Sequence, residues 1–234
     1  MMTPDVRYMR RALALAAKAW GRTTPNPMVG AVAVRAGRVV GEGFHPKAGE
    51  PHAEVHALLA AGEAARGATL YVTLEPCSTS GRAPPCTAAI IRAGIARVVA
   101  ATADPNPKHA GQGFEILRRA GIAVEVGIEA ERAEELNKAF FHRMRTGKPY
   151  VLLKMAMTLD GKIATASGES RWITGPAARK RVQQLRQWCD AIMVGGETAR
   201  LDRPGLTVRE PVDWPCQPLK MGYGRMPEIG SAHV

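Results

Sequence analysis

The chain has 234 residues, of which 46% are hydrophobic and 23% are charged, a composition that argues against disorder and suits one large or two small globular domains. Its net charge of +11 favours anionic partners, either phosphorylated metabolites or nucleic acid, and excludes neither. Four cysteines do not make a disulfide framework, and we recognise no signal peptide and no apolar run of roughly 20 residues, so we expect a cytoplasmic protein without membrane spans.

The first half of the chain alternates between predicted helices and strands. Thr3-Pro4 is a typical helix start, and apolar residues at helical spacing continue from there to Trp20. The elements predicted after this helix are strands over 29–34 and 38–44, a helix over 52–65, a strand over 69–75, a helix over 84–93, a strand over 97–103, a helix over 114–120, a strand over 123–128 and a charged helix over 129–145. This alternation indicates a layered α/β fold.

The pattern restarts at Pro149. A strand over 150–157, a helix over 176–189 and a strand over 191–195 predict the beginning of a second α/β unit. Beyond residue 203 the apolar periodicity ends, and we expect loop or tail.

Three candidate metal ligands, His52, Cys77 and Cys86, lie in the first half. One imidazole and two thiolates leave a fourth position for water, which is typical of catalytic rather than structural zinc. Glu54 follows the histidine by two residues and is placed to move protons to and from a metal-activated water without binding the metal. This arrangement is the pattern of zinc-dependent nucleobase deaminases, so the sequence predicts hydrolytic removal of an exocyclic amine.

His56 offers an alternative ligand, because it lies four residues after His52 on the same predicted helix. In the metalloprotease pattern the glutamate directly follows the first histidine, whereas Ala53 occupies that position here. We therefore interpret His56 as a helix residue near the site, with substrate contact as the alternative.

Eight residues separate the two cysteines, whereas nucleoside, polynucleotide and tRNA deaminases usually have two. Further motifs occupy residues 26–31, 49–56, 73–86 and 104–107 in the first half, and 143–147, 159–164, 171–174 and 206–209 in the second. In these motifs the chain resembles the bifunctional riboflavin-biosynthesis deaminase/reductase family, over about residues 5–209.

The resemblance implies a three-layer cytidine-deaminase-like domain over 1–147, the N-terminal part of a dihydrofolate-reductase-like domain over 148–209, and a divergent tail over 210–234. It implies zinc-dependent deamination of diaminohydroxyphosphoribosylaminopyrimidine to 5-amino-6-(5-phosphoribosylamino)uracil, and reduction of the ribosyl group by NADPH. Because residues 210–234 do not resemble the continuation of the family's reductase, we expect weak or absent reduction. A reductase domain with unpaired strand edges would also favour self-association into a homo-oligomer.

The resemblance also implies substrate and cofactor contacts. In the deaminase half the substrate contacts are Asn26, His45, Arg82, Asp104 and Asn106, and the guanidinium of Arg82 is suited to binding a phosphate. In the reductase half the NADP contacts are Ala156, Trp172, Thr198 and Asp202, and the substrate contacts are Lys154, Ser170, Arg186, Leu206 and Arg209. Thr79 stands where the family commonly has histidine, so one substrate contact differs.

Two other functions stay open. A tRNA or nucleoside deaminase would suit the motif and, for tRNA, the positive charge, but the long spacing between the cysteines and the reductase-like segment disfavour it. A non-catalytic zinc-bound interaction module would suit the unusual C-terminal segment, and it predicts that Glu54→Ala changes nothing measurable.

Overall fold

The computed structural model describes residues 2–79, 84–107 and 109–224. The chain forms two compact units, Met1–Val151 and Leu152–Val234. Within the described residues, no helix combines the length and the apolar character needed to cross a membrane.

A five-stranded sheet forms the centre of the first unit. Its strands are β1 (Gly30–Arg35), β2 (Arg38–Phe44), β3 (Thr69–Val72), β4 (Arg97–Ala100) and β5 (Ala123–Val126). The strand order is β2-β1-β3-β4-β5, in which β1 is antiparallel to β2 and β3, and β3, β4 and β5 are parallel. The carboxyl ends of β3 and β4 therefore lie at the same edge of the sheet, and the segments that follow them are neighbours.

Helices cover both faces of this sheet. They are α1 (Pro4–Ala16), α2 (Ala53–Ala61), α3 (Cys86–Arg92), α4 (Gln112–Arg119), α5 (Ala130–Leu136) and α6 (Lys138–Thr146). Buried side chains of α1 and α5 pack on one face, and those of α2, α3 and α4 pack on the other. The arrangement confirms the three-layer α/β fold expected for this part of the chain.

Small residues bring α2 very close to the sheet. The small residues of β1 and β2 on this face include Ala31, Ala33, Gly41 and Gly43. A Cβ atom added to Gly43 would lie 2.5 Å from the carbonyl oxygen of Ala53, so helix and strand backbones are in direct contact. This contact fixes the first turn of α2, which carries Glu54.

The predicted helix start at Thr3 is confirmed, because its hydroxyl accepts a hydrogen bond from the backbone N–H of Val6 at 3.3 Å. The predicted single helix over 129–145 is wrong, since it is divided into α5 and α6 at Asn137. The side-chain amide of Asn137 accepts a hydrogen bond from the backbone N–H of Met28 (2.7 Å) and donates one to its carbonyl oxygen (2.9 Å). The helix is therefore interrupted at the residue that holds this distant loop.

The second unit contains α7 (Pro176–Trp188), β6 (Ala191–Gly195), α8 (Gly196–Asp202) and β7 (Leu219–Tyr223). The predictions of α7 and β6 are confirmed. Strands β6 and β7 pair in parallel, so the expectation of loop or tail beyond residue 203 is wrong for β7. The strand receives its hydrogen bonds from a partner distant in sequence, and no local apolar pattern indicates it.

The strand predicted over residues 150–157 is absent. Most of its apolar side chains are exposed, with Val151 at 80% and Leu153 at 79%, and none of the described strands pairs with it. A strand is stabilised by hydrogen bonds and packing against neighbouring elements, so an apolar segment without such neighbours does not form one.

Candidate metal centre and substrate pocket

The predicted zinc ligands come from three segments of the first unit that meet at one point. His52 is the N-cap residue of α2, Cys77 lies in the loop after β3, and Cys86 is the first residue of α3. The Nδ1 atom of His52 lies 3.6 Å from Sγ of Cys77 and 3.3 Å from Sγ of Cys86. All three ligand atoms lie within 4.8 Å of one another.

These distances fit a shared zinc ion. With Zn–N near 2.0 Å, Zn–S near 2.3 Å and tetrahedral angles, nitrogen and sulfur ligands of one ion lie about 3.5 Å apart. The backbone N–H of Cys86 donates to the sulfur of Cys77 at 3.2 Å, which favours a thiolate there. His52 is exposed while Cys86 is buried, so the group is open to solvent on the side of the imidazole.

The ligands also shift one another's protonation. The Cys86 thiol, with the His52 imidazole, donates to the Cys77 sulfur and holds the pKa of Cys77 well below its usual range. The same contact with Cys77, together with burial, raises the pKa of Cys86. The hydrogen bond to Cys77 raises the pKa of His52. One of the two sulfurs thus carries negative charge readily, which suits a divalent cation.

Glu54 is 3% exposed, although it carries a carboxyl group. Burial raises the pKa of this carboxyl, and the negative charge at Cys77 acts in the same direction. A carboxyl that holds a proton more tightly than usual can both take up a proton and return it. The structure therefore gives Glu54 the surroundings of a general acid–base group next to the ligands.

His45 and Asn26, two predicted substrate contacts, are hydrogen-bonded to each other. Nδ1 of His45 lies 3.1 Å from the carbonyl oxygen of Pro51, and its Nε2 lies 3.1 Å from Nδ2 of Asn26. The carbonyl can only accept, so the His45 proton is assigned to Nδ1, and Nε2 accepts from the Asn26 amide. Burial lowers the pKa of His45, which keeps the ring neutral. Its ring lies edge-on to that of His52, with 5.3 Å between centroids.

Asp104 and Asn106 lie in the segment that follows β4. The Oδ1 atom of Asp104 accepts from the backbone N–H of Asn106 at 2.8 Å, which closes a local turn. The backbone N–H of Asp104 donates to the carboxylate of Glu75 at 3.0 Å. Sequence reasoning missed Glu75, although an acidic residue between an apolar strand and a zinc ligand is a signal that could have indicated it.

Three further residues bear on the predicted site. Arg82 lies outside the described residues, and Thr79 is exposed. His56 is half-buried, and its Nε2 atom has no hydrogen-bond partner within the part of the chain that the structure describes. The group of possible metal ligands in that part comprises His52, Cys77 and Cys86 without His56. The alternative pairing of His52 with His56 therefore receives no support.

The residues predicted for the reductase half are only partly brought together. Trp172 and Arg209 line one open groove of about 590 Å³. Arg186 donates to the carbonyl oxygen of Thr207 at 2.8 Å, and burial, with the charge of Arg209, lowers the pKa of Arg186. The remaining predicted residues do not line the groove: Lys154, Ser170, Thr198 and Asp202 are exposed, Ala156 is half-buried and Leu206 is buried.

Two family models match the chain. The cytidine and deoxycytidylate deaminase zinc-binding region matches residues 2–102, and the RibD C-terminal domain matches residues 149–221. A deaminase match followed by a RibD C-terminal match agrees with the predicted fold class, a deaminase-like domain followed by part of a reductase-like one. The zinc-binding description agrees with the group formed by His52, Cys77 and Cys86.

Curated relatives and solved structures extend these matches. The riboflavin biosynthesis protein RibD of Escherichia coli K12 is 58% identical over 205 residues, which cover 88% of this chain and 56% of the relative. RibD of Synechocystis sp. is 55% identical over 206 residues, with the same coverage of 88% and 56%. The chain thus spans little more than half the length of these relatives.

Among solved structures, Acinetobacter baumannii RibD (form 1) has a TM-score of 0.88 and 47% identity, and the match covers 98% of this chain and 67% of that one. A Thermotoga maritima structure, described as a diaminohydroxyphosphoribosylaminopyrimidine deaminase/5-amino-6-(5-phosphoribosylamino)uracil reductase, has a TM-score of 0.90 and 43% identity, covering 99% and 66%.

Proposed function

Because this chain belongs to the RibD family, we propose that its first unit is a zinc-dependent deaminase of riboflavin biosynthesis. Its substrate would be diaminohydroxyphosphoribosylaminopyrimidine and its product 5-amino-6-(5-phosphoribosylamino)uracil. One observation carries the proposal: a buried carboxyl, Glu54, lies two residues from His52, whose nitrogen-to-sulfur distances to Cys77 and Cys86 fit one zinc ion.

The side chains of the first unit divide the work of such a reaction. His52, Cys77 and Cys86 would hold the zinc, which when bound lowers the pKa of a coordinated water toward about 7. Glu54 would accept a proton from that water and return it to the departing ammonia. Its burial keeps bulk water from competing for the proton.

The remaining predicted residues would bind and orient the substrate. Asn26 and His45 would contact the pyrimidine, because their mutual hydrogen bond fixes the neutral His45 ring beside His52. Asp104 and Asn106, with Arg82, would contact the ribose phosphate. The net charge of +11 suits this anionic small molecule, and the proposal requires neither nucleic acid nor a membrane surface.

We also propose the domain limits and the cytoplasmic localisation that the sequence indicates. The deaminase domain would comprise residues 1–147, the reductase-like part 148–209 and the divergent segment 210–234. The first compact unit ends four residues beyond the first of these limits, at Val151. The free cysteines of the chain, which lie in both units, suit a reducing cytoplasm.

Ammonia release from the phosphoribosylated diaminopyrimidinone tests the deaminase directly. We expect one zinc per chain in the wild type and in Glu54→Gln, with the rate of the variant lower by at least about 100-fold. Glu63→Gln, an exposed position just after α2, is the matched control and should keep the wild-type rate.

Zinc binding without ammonia release from this substrate would contradict the proposal, and nucleosides and tRNA would then be tested in the same assay. An equal rate for Glu54→Gln and wild type would instead exclude the assigned role of Glu54.

A second activity, NADPH-dependent reduction, is favoured by two neighbouring guanidinium groups in the second unit. Arg186 donates to the carbonyl oxygen of Thr207, two residues before Arg209, and two guanidinium groups on these segments favour a bound phosphate. We propose that this activity is weak, because Lys154, Thr198 and Asp202 remain exposed and apart from the groove. Rapid NADPH oxidation with the deaminated product would contradict this part of the proposal.

A further inference from the structure

We propose that Glu75 is a positioning residue of the deaminase site: its carboxylate holds residues 104–107 and 109–113 against the zinc-ligand segment at Cys77. The first of these two stretches carries two of the predicted substrate contacts. The role rests on the deaminase function proposed above. It concerns a residue that neither binds the metal nor reaches the reacting atoms.

The carboxylate of Glu75 is bonded to three backbone N–H groups of these two stretches. Its Oε2 atom accepts from Asp104 at 3.0 Å and from Gly111 at 2.9 Å, and its Oε1 atom accepts from Gly113 at 2.8 Å. Glu75 is only 6% exposed. Three N–H donors compensate for removing a charged group from water, so the bonds fix the segment and stabilise the buried carboxylate at the same time.

Two of the three bonds complete the beginning of α4. Gly111 is the N-cap residue of this helix, and since it has no side chain it supplies no capping group of its own. The Glu75 carboxylate takes that place from another segment of the chain, at the helix end where the macrodipole favours negative charge. The first turn of α4 is thereby tied to the end of β3.

A steric contact makes the same connection. A Cβ atom added to Gly113 would lie 2.2 Å from the carbonyl oxygen of Pro76, so the two backbones touch. Pro76 is adjacent to Cys77, whose own carbonyl oxygen accepts from Thr87 at 3.2 Å. The zinc-ligand segment is thus held between α3 on one side and the first turn of α4 on the other.

These contacts place Glu75 between the two parts of the site. Cys77, a zinc ligand, lies two residues after Glu75. The backbone N–H of Asp104, a predicted substrate contact, donates to the Glu75 carboxylate. A change at Glu75 should therefore move the substrate contacts relative to the zinc while His52 and Cys86 stay on their own helices.

Glu75→Gln tests this role with almost no change in shape. The amide replaces one acceptor oxygen by a donor, so at least one of the three backbone N–H groups faces another N–H. Glu115→Gln is the matched control, because Glu115 lies on α4, is exposed and pairs with Arg119 one turn away. Glu75→Asp keeps the charge with a shorter side chain and serves as the milder variant should the glutamine variant not fold.

Hydrogen exchange followed by mass spectrometry and steady-state ammonia release give two independent measurements. We expect peptides covering 104–113 to exchange at least about tenfold faster in Glu75→Gln, since an N–H that loses its acceptor loses protection. We expect KM to rise about tenfold or more while kcat changes less than about threefold and zinc stays at one per chain. Glu75→Asp should lie between these values and the wild type, and Glu115→Gln should match the wild type.

A lower melting temperature with unchanged KM would show a purely structural role and would overturn the proposal. Loss of zinc would overturn it too, because Glu75 would then support the ligand rather than the substrate segment. If the wild type released no ammonia, the proposed function would fail and the positioning role with it, while faster exchange in Glu75→Gln would still establish the three-bond anchor.

Discussion

The two units of the chain differ in how far their apolar side chains are buried. In the first unit a group of large apolar side chains is fully buried, among them Met9, Leu70, Ile90 and Leu117. In the second unit, within residues 152–224, the buried apolar side chains are Leu206, Val208 and Trp214. Leu153, Met193 and Leu219 of this unit are each more than half exposed.

The candidate functional residues follow the same division. In the first unit a packed sheet fixes the helices that begin at His52 and Cys86, and the three zinc ligands meet. In the second unit, predicted cofactor contacts such as Thr198 and Asp202 remain exposed. A motif therefore becomes a site where a packed core fixes the backbone that carries it.

The same substitution made in each unit should give the largest difference. Leu117 is completely buried, whereas Leu153 is 79% exposed. We expect Leu117→Ala to lower the free energy of unfolding by about 2–5 kcal/mol, because it leaves a cavity in a packed core. Leu153→Ala should change it by less than about 0.5 kcal/mol. Urea denaturation, monitored by hydrogen exchange in peptides from each unit, measures both free energies of unfolding. A large decrease for Leu153→Ala would show that the segment around Leu153 is buried in solution.

A glycine-to-alanine substitution in each unit tests how closely the backbones of neighbouring elements pack. A Cβ atom at Gly43 would lie 2.4 Å from Cβ of His56, whereas nothing lies within 4 Å of the corresponding position at Gly195. We expect Gly43→Ala to destabilise the first unit by about 1–3 kcal/mol and to reduce zinc content, since α2 must move and the ligand His52 is its N-cap residue. Gly195→Ala should cost less than about 1 kcal/mol. Thermal denaturation and zinc analysis test the pair, and full zinc content in Gly43→Ala would contradict the tight fit of α2.

Removing an ion pair should give the smallest difference in stability between the two units, and this difference should depend on pH. The Arg97 guanidinium, hydrogen-bonded to Asp5 at 2.9 Å, holds the pKa of that carboxyl below its usual range. A lowered pKa stabilises the fold above the unfolded value near 3.9, and this contribution disappears as the pH falls through the folded pKa. Asp5→Asn should therefore cost about 1 kcal/mol or less at pH 7 and nothing in strong acid.

Glu197→Gln is the matched change in the second unit, where Glu197 pairs with Arg200 and both side chains are exposed. It should have no measurable effect on stability at any pH. Urea denaturation of both variants and the wild type at neutral and acid pH tests the pair, and a cost for Asp5→Asn that is independent of pH would contradict the assigned cause.

Local signals in the sequence predicted much of the first unit. A capping residue such as Thr3 and a strand pattern such as that over 29–34 are contained in short segments, and physical rules for short segments are sufficient to interpret them. The zinc ligands were predicted from residue type and spacing, because the chemistry of the metal restricts both. Their meeting point in the structure agrees with that prediction.

The features that were missed depend on partners distant in sequence. Glu75 is bonded to residues about 30 or more positions away, Asn137 interrupts a helix to hold Met28, and β7 exists because β6 lies beside it. The strand expected over 150–157 failed for the converse reason, since its local pattern has no partner among the described strands. Single-sequence patterns contain no information about such pairings.

The bonds between Asn137 and Met28 determine how short an independently expressed deaminase can be. All three zinc ligands and Glu54 lie before the end of β4, so a fragment stopping there would contain the whole metal-binding motif. It would nevertheless leave β4 without its neighbour β5 and the backbone of Met28, two residues from Asn26, without its side-chain partner. A working fragment therefore needs to extend at least through β5 and α5 to Asn137.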